Sequence, residues 1–485
     1  FFIVDTLLKP TVDSVLCARD SVSGSWTLLP AGYYDRVPPE EAQKFRGRYP
    51  LNSRLIMRGE AIAEQIYRAG DEEVAEGLCA GQLKRVIGNL EKGRPYLPPQ
   101  RVEVVDALIR SLRSGNLAST DSAAALQLSQ SAPVDFVLGF SDTRFDPLGR
   151  KGLWTGMVFI EDAEAQAKVD RLLPAAPELL ATLPGGHPGL EATHRLRAVQ
   201  LLTASGANGP RCPDVYRDPP SFDSMQTSGR SLLFTNVIKA RASARVSRME
   251  AQLCDNDLER AQAEKYALDL AFTRTALGEI IGFAGSGSAT YCAGAAHKDD
   301  ALLREALRQV QVLWLMADPH LVDVGLLPDA DAENESYLSF ARRYQIALSD
   351  TTGSFHQSVL KLLGNYWQQA GALVLSTGGQ KSRYRPADRM VMREKAGELA
   401  LLLRNLLQNG SAQSRREFVS RYSAGGEGKV SDQVGYFIDE AFILPVVRAK
   451  YNPMGGIEEV RLEQPADFNQ EMLIYSGLEP VKRQK

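Results

Sequence analysis

The chain has little of what would commit it early to a class. Its five cysteines, Cys17, Cys79, Cys212, Cys254 and Cys292, are far apart and form no CxxC pair. That spread excludes a disulfide framework and predicts reduced, mostly buried thiols in a reducing compartment. Neither sign of charge dominates: 56 basic side chains stand against 59 acidic ones, for a net charge of −3. Without a long basic run, a nucleic-acid footprint is excluded. The longest apolar run, near "QVQVLWLMA", falls well short of the roughly 18 residues of a membrane helix, so no membrane partner is expected. The opening "FFIVDTLLKPTVDS" has no charged n-region and no small-residue cleavage site. No secretory leader is expected in it, and a start at Phe1 leads us to expect residues upstream. There is no internal repeat and no low-complexity segment. A cytoplasmic enzyme or binding protein is the default expectation.

What remains is ordinary globular composition, 44% hydrophobic and 24% charged over 485 residues. That length implies about two to three domains or lobes. From Ala61 to Leu112 the spacing reads as helical: "AIAEQIYRAG" and "RVEVVDALIRSLRSGN" both stop at a glycine. "LWTGMVFI" reads as a strand after a DPLG turn. Helical patterning returns from Asp162 to Ala204 around the loop "LPGGHPG", while the prolines of "RCPDVYRDPPSFDS" forbid regular structure there. "SLLFTNVI" is short and β-like. From Asn256 the chain is helical for nearly 200 residues, opened by a capping box of Asn256 with Glu259. The later helices fall at roughly Glu335 to Gly371, Arg389 to Gln408 and Ser431 to Phe442, with "QNGSAQSRR" and "SAGGEGKVSD" as surface loops. "LPVVRAKYNPMGGIEEVRLEQ" turns β-like again. The expected fold is α+β and predominantly helical, in two lobes around a cleft.

Five blocks, in order, then resemble one family. They are "RYPLNSRLI" with "QIYRAG", "VDFVLGFSDTRFDPLGRKGLWTGMVFI", "PPSFD" with "LLFTNVIKA", "LREALRQVQVLWLMADPHLVDVGLLPD" and "FHQSVLKLLGNYWQQAG". Together they are similar to the dipeptidyl-peptidase III family of zinc exopeptidases. The resemblance implies one helical lobe and one mixed lobe with a small β-barrel. It puts residues 1–160, 216–244 and 446–485 in the mixed lobe and 161–215 and 245–445 in the helical lobe.

The resemblance fails where the chemistry should be. The family's HExxGH motif supplies two imidazoles to zinc and a glutamate that polarises the metal-bound water. Here it reads "GEIIGF": Glu279 and Gly282 match, while Gly278 and Phe283 replace both histidines. In the second motif, EExRA[DE], the ligand position matches Glu305 within "REALRQ". The first glutamate has become Arg304 and the last acidic position Gln309. One carboxylate does not hold zinc, so no metal and no cofactor are expected. The family's cleft glutamate and tyrosine fall at Asp142 and Arg144, its transition-state histidine is kept as His356, and its two peptide-gripping basic residues fall at Leu360 and Asn365. Asn236, in the "LLFTNVIKA" block, is placed at the substrate cleft by the same resemblance.

Each residue also has a plain structural reading. Glu279 pairs with Arg274 or another base, or is a desolvated carboxylate of raised pKa suited to acid/base work. Glu305 is ion-paired, or faces Glu279 across the empty metal position so that one pKa rises. His356 is a satisfied structural side chain, or a proton carrier with a pKa near neutrality. Arg144 bridges Asp142 or Asp146, or binds an anionic group. The glycines of "GFAGSGSA" follow a helix and lack a Walker Lys-Ser/Thr, which sets a phosphate loop aside. His187, His194, His297 and His320 show no metal-ligand spacing, Cys292 with His297 is a weak alternative, and no G-x-S-x-G elbow is present.

The expectation is a metal-independent enzyme on this scaffold. Its catalytic residues would be His356, Glu279 and Glu305, and its substrate-binding residues Arg144, Asp142, Phe283 and Asn236. The substrate would be a small polar or anionic molecule or a short peptide, and the reaction isomerisation, elimination, hydration or hydrolysis. The alternative is an inactive protein that still captures peptides or a partner in the cleft. A third reading is a zinc dipeptidyl-peptidase with unorthodox ligands. The sequence leaves the oligomeric state open.

Overall fold

The structure is a computed structural model that describes residues 32–129, 132, 134–143, 146, 148, 150–186, 195–206, 214–217, 230–248, 250–285, 298–349, 355–376, 382–423, 446–451 and 457–463. The fold is α+β and predominantly helical, in two lobes. In chain order the mixed portion begins with β1 (Tyr34–Asp35), α1 (Pro39–Lys44), β2 (Ser53–Arg58) and β3 (Ala61–Ile66). It continues with α2 (Ala80–Gly93), α3 (Pro99–Ser114), α4 (Leu117–Ser129), β4 (Val134–Asp142), β5 (Leu153–Glu161) and α5 (Ala163–Ala181). Then come β6 (Arg195–Gly206), β7 (Val215–Arg217), β8 (Arg230–Phe234) and α6 (Thr235–Arg248). The helical portion is α7 (Asp257–Gly285), α8 (Lys298–Leu315), α9 (Asp331–Ser349), α10 (Phe355–Gln369), the hairpin β9 (Leu373–Ser376) and β10 (Arg383–Pro386), α11 (Arg389–Asn409) and α12 (Ala412–Ser423). A last antiparallel pair joins β11 (Val446–Tyr451) to β12 (Ile457–Glu463).

The larger sheet has the order β4-β5-β6-β8-β7. β4, β5 and β6 pair antiparallel, β6 and β8 parallel, and β7 closes one edge antiparallel to β8. One buried cluster of this region gathers Val137, Met157, Phe159, Leu201, Leu232 and Phe234. A second runs from α5 (Leu172, Leu179) through Leu196 and Leu233 to Tyr266, Leu277 and Ile280 of α7 and Leu315 of α8. It is therefore the packed joint between sheet and helices. α8 is the axis of the other lobe, where Leu303, Val310 and Leu313 meet Phe340, Leu363, Trp367 and Leu399.

The sheet also carries a charge at its heart. The Asp135 carboxylate is buried and faces three guanidiniums, Arg101 of α3 at 3.2 Å, Arg197 of β6 at 3.5 Å and Arg230 of β8 at 3.2 Å. Gln127 of α4 donates to it at 3.3 Å. Four elements thus converge on one anion.

Several sequence expectations meet the structure directly. α3 ends at Gly115 in the left-handed region, φ 77°. The start of α7 carries the capping interaction, Glu259 N–H donating to Asn256 Oδ1 at 2.9 Å while Glu259 Oε2 accepts from Asp255 N–H at 2.8 Å. Other expectations are corrected. "AIAEQI" is β3, not helix: Gly59, at φ 62°, turns the chain so that Arg58 opposes Ala61 in an antiparallel hairpin, and strand pairing overrides the helix preference of Ala, Glu and Gln. The stretch 195–204 lies in β6, whose run from Leu196 to Val199 is buried on successive residues. A strand covered on both faces shows no period of two and imitates a buried helix. Val215–Arg217, amid the prolines, is nevertheless a strand. "SAQSRR" begins α12, with Arg415 reaching Asp300 at 2.8 Å. Cys79 is exposed rather than buried. The expected helix from Ser431 to Phe442 lies outside the described residues.

Removing the Asp135 charge leaves three buried cations without their common partner. We expect Asp135→Asn to lose about 3–5 kcal/mol of unfolding free energy in urea titrations, the cost of breaking a buried ion cluster from one side. A loss below about 1 kcal/mol would mean that the arginines are compensated elsewhere.

Candidate functional site

The "TALGEIIGF" stretch occupies the last turns of α7. Its glycines, Gly278 and Gly282, are one turn apart and share a face, and both lie against the Arg308 side chain of α8. A Cβ built on Gly278 would overlap Arg308 Nη1 and sit 3.5 Å from its Cζ, whereas at Gly282 the nearest atom is Arg308 Cδ at 3.8 Å. Arg308 therefore lies along a groove that exists because position 278 has no side chain. Its guanidinium is held from the other side by Glu305, one turn earlier on α8, with Nε 2.8 Å from Oε2 and Nη2 2.5 Å from Oε1. Gln309 Nε2 donates to the same carboxylate at 3.0 Å. In the EExRA[DE] pattern Arg308 stands at the alanine. A glycine for a histidine on α7 and an arginine for an alanine on α8 are thus sterically complementary.

Glu279 is only 2% exposed. It accepts a fork from Arg217 of β7, Nε at 2.7 Å and a shorter bond from Nη2, and a hydrogen bond from Ser231 Oγ of β8 at 2.9 Å. The edge of the sheet is pinned to α7 through this one carboxylate. Bidentate pairing of a guanidinium with a carboxylate is among the stronger charge-assisted arrangements.

These contacts correct the expectation of a raised carboxylate pKa. Burial would lift Glu279, but the charge and hydrogen bonds of Arg217, then Arg308 and Ser231, outweigh it and hold the carboxyl below its ordinary value. Burial would likewise lift Glu305, yet Arg308, Gln309 and the nearby His356 hold it low. Neither carboxylate shares a proton; each has a guanidinium. The partner of Glu279 is Arg217, 62 residues away in sequence, and not Arg274.

His356, the second residue of α10, stands at an exposed position. Protein crowded around it strips hydration and lowers its pKa first; Arg343 of α9, Arg245 of α6 and Arg308 lower it further, against Glu305, to about 4. The expected value near neutrality is therefore corrected: the imidazole is neutral at pH 7 and serves as an acceptor rather than a proton donor. The same effects show that His356, Glu305 and Arg308 are neighbours, and that Arg308 also acts on Glu279. The residues of both degenerate motifs are thus brought together with the histidine.

Other expected site residues are placed elsewhere or not described. Asn236, at the start of α6, uses its amide at both ends on the backbone of Leu201, accepting at 3.0 Å and donating at 2.9 Å, and so fixes α6 to β6. Leu360 is buried in the helical core, and Asn365 accepts from Tyr344 Oη at 2.6 Å and donates to the Tyr422 carbonyl at 2.8 Å. Neither offers a grip on a ligand. Asp142 ends β4 opposite Leu153; its side chain, that of Phe283, Arg144 as a whole, and Cys292 with His297 lie outside the described residues. Among the described residues no three His, Cys, Asp or Glu side chains are grouped to hold a metal ion, and no helix is long and apolar enough to cross a membrane. Sequence reasoning did not find Arg217 or Ser231, whose approach to Glu279 depends on a sheet edge. Arg308 had a local signal, standing three residues after Glu305 where the motif has alanine.

Residues 58–192 match the model of peptidase family M49. Dipeptidyl peptidase 3 of Rattus norvegicus is 27% identical over 172 residues, 34% of this chain and 22% of the rat protein. Dipeptidyl peptidase 3 of Homo sapiens is 26% identical over 178 residues, 35% of this chain and 23% of the human protein. These matches span under a quarter of the length of either relative. The fold is also that of the dipeptidyl-peptidase III structure from Corallococcus sp. strain EGB (TM-score 0.61, 16% identity, 81% of this chain and 73% of that one). The structure of DPP III from Caldithrix abyssi aligns with TM-score 0.67 at 13% identity, over 86% of this chain and 80% of that one.

Two outcomes follow from the charge pattern. Because its folded pKa is depressed, Glu279 contributes stability that is fully present above about pH 4.5 and is lost as pH falls through the lowered folded value. We expect wild-type unfolding free energy to fall on acidification below that point, and Glu279→Gln to start lower at pH 7 and decline less steeply. Parallel curves for the two proteins would contradict the pairing. For His356, we expect the ring signals in NMR to keep their neutral shifts down to about pH 5 and to titrate near 4; a midpoint above 6 would overturn the placement of the ring among arginines.

Proposed function

We propose, from the premise that the chain is a divergent member of the dipeptidyl-peptidase III family, that its inter-lobe cleft works without zinc and binds a small anionic molecule or a short peptide. The observation that carries this reading is the Arg308 guanidinium seated over Gly278 and clamped by Glu305. The residues present do not fit a zinc ion. Position 278 has no donor and no room for an imidazole while Arg308 stays, position 283 is phenylalanine, and Glu305 already serves a cation. A guanidinium supplies positive charge without a coordination site, so it neither polarises a carbonyl as a Lewis acid nor lowers the pKa of a bound water.

The carboxylates argue against acid/base work by Glu279 and Glu305. A general base must be free to take a proton, and both oxygens of each glutamate are engaged by hydrogen-bond donors. This turns the balance toward binding. The acid/base enzyme keeps one support, His356, whose ring is unprotonated at pH 7, although a pKa of about 4 makes it a weak base. In that second reading His356 is the sole base and the arginines orient an anionic substrate.

Metal content separates these readings from the peptidase. After purification in zinc and gel filtration, we expect less than about a tenth of an equivalent of zinc in the wild type, and no release of dipeptides from an oligopeptide. Gly278→His with Phe283→His should stay metal-poor while Arg308 is present, and adding Arg308→Ala should raise zinc toward one equivalent. Stoichiometric zinc in the wild type, bound tightly enough to survive gel filtration, would overturn the proposal.

A further inference from the structure

Among the described residues, two neighbouring arginines of α9 are satisfied very differently. Arg342 of α9 is enclosed by Glu250 at 3.2 Å, Glu259 at 2.8 Å and a closer contact to Glu335. Its sequence neighbour Arg343 makes neither a hydrogen bond nor an ion pair among the described residues, and its Nε is buried without a partner. Burial, with Arg274 and Arg245 close by, pushes its pKa down to about 9. Arg274, one turn before Gly278 on α7, has only two long contacts, to Ser339 Oγ and the Ser336 carbonyl, both 3.5 Å. Burial depresses it to about 10. The carboxylate acting on both, Glu250, is bonded to Arg342 and Ser339. The three arginines come from α6, α7 and α9, of which α6 and α9 each pack against α7, and Arg343 and Arg245 both act on His356 of α10.

Three guanidiniums with so little counter-charge are costly in an otherwise compensated interior, since each repels the others across a medium that screens poorly. Removing a charge would be the simple remedy if the cluster served only the fold. All three side chains are half-buried and keep some contact with solvent. We propose that Arg343, Arg245 and Arg274, with His356 as a neutral partner, form a binding site for a doubly charged oxyanion group, a phosphate or a paired carboxylate, beside the Gly278–Arg308 groove. Guanidiniums present forked donors that match both groups, and the His356 ring adds a donor through its N–H. This rests on the binding reading above and names its ligand chemistry.

The 485-residue chain is tested by thermal unfolding against inorganic phosphate and against succinate, each matched in ionic strength with sodium chloride, with acetate as the singly charged control. A saturable rise in Tm with phosphate or succinate, beyond the chloride curve, is expected. Whichever of the two saturates at lower concentration identifies the oxyanion as phosphate or dicarboxylate. Arg343→Met should raise the half-saturation concentration by about tenfold or more, the loss of one charged hydrogen-bonding partner. It should also raise Tm in the absence of anion, because an unpaired buried cation is gone; a purely structural arginine would lower it. Arg36→Met, at an exposed turn residue, should leave the titration unchanged. If Arg343→Met does not fold, Arg245→Met reads the same site. The proposal is overturned if the anions act no differently from chloride, or if both variants keep the wild-type half-saturation. Neither result bears on metal: the zinc measurement tests the zinc-free reading, and the anion titration tests this site alone.

Discussion

A carboxylate with 2% exposure has to be compensated within the protein, and at Glu279 the compensation organises everything around it. In a medium of low effective dielectric an isolated carboxylate would take up a proton or exclude itself from the interior. Arg217 and Ser231 come from neighbouring strands at the end of the sheet, so satisfying Glu279 fixes the sheet edge against α7. Arg308 adds a second positive charge from α8 and reaches the site only because Gly278 leaves its groove open. The sheet edge, α7 and α8 are therefore held to one another by guanidiniums at this point.

The same rule recurs elsewhere with the signs arranged differently. Asp135 gathers three arginines around one anion, and Arg342 gathers three glutamates around one cation. At the second cluster the excess negative charge is visible, for burial and the charge of Glu250 push Glu335 up to about 7 in spite of Arg342. The excess positive charge of Arg274, Arg343 and Arg245 lies on helices packed beside it. Long-range attraction between the two groups offsets part of the imbalance, but it gives the Arg343 guanidinium no hydrogen-bond partner. Coulombic attraction over several ångströms and hydrogen-bond satisfaction at about 3 Å are separate requirements, and at Arg343 the second is not met.

How far the sequence could be read follows from the range of the interactions involved. Helices whose ends are marked locally were legible: Gly115 closing α3, Asn256 with Glu259 opening α7, and α11 beginning at Arg389. β3 and β6 were misread because their conformations are set by partners outside the segment, β2 for one and the flanking β5 and β8 for the other. At the site, Glu279, Glu305 and His356 were legible through the spacing of the family motifs, and the structure brings them together. Their electrostatic state was not. Two glutamates near a vacated metal position imply mutual repulsion when nothing else is known, whereas a folded chain supplies Arg217 from a three-residue strand between prolines. Asn236, expected as a substrate-binding residue, instead uses both ends of its amide on the Leu201 backbone.

A metal ion and a guanidinium differ in what they let a cleft do, and the difference decides what this scaffold retains. Zinc offers an exchangeable coordination position, through which a water or a carbonyl oxygen enters the first shell and is activated. Arg308 offers N–H donors already directed at Glu305, and it has no position to vacate without breaking that pair. Arg308 supplies positive charge at this position but no Lewis-acid polarisation. A site altered in this way attracts anions over several ångströms and holds them by hydrogen bonds. Arg245 and Arg343 act on His356 together with Arg308, against Glu305, so cations outnumber carboxylates around that histidine among the groups acting on it. The oxyanion site proposed above would use those features, whereas metal-assisted hydrolysis would need ligands that Gly278 and Phe283 do not supply.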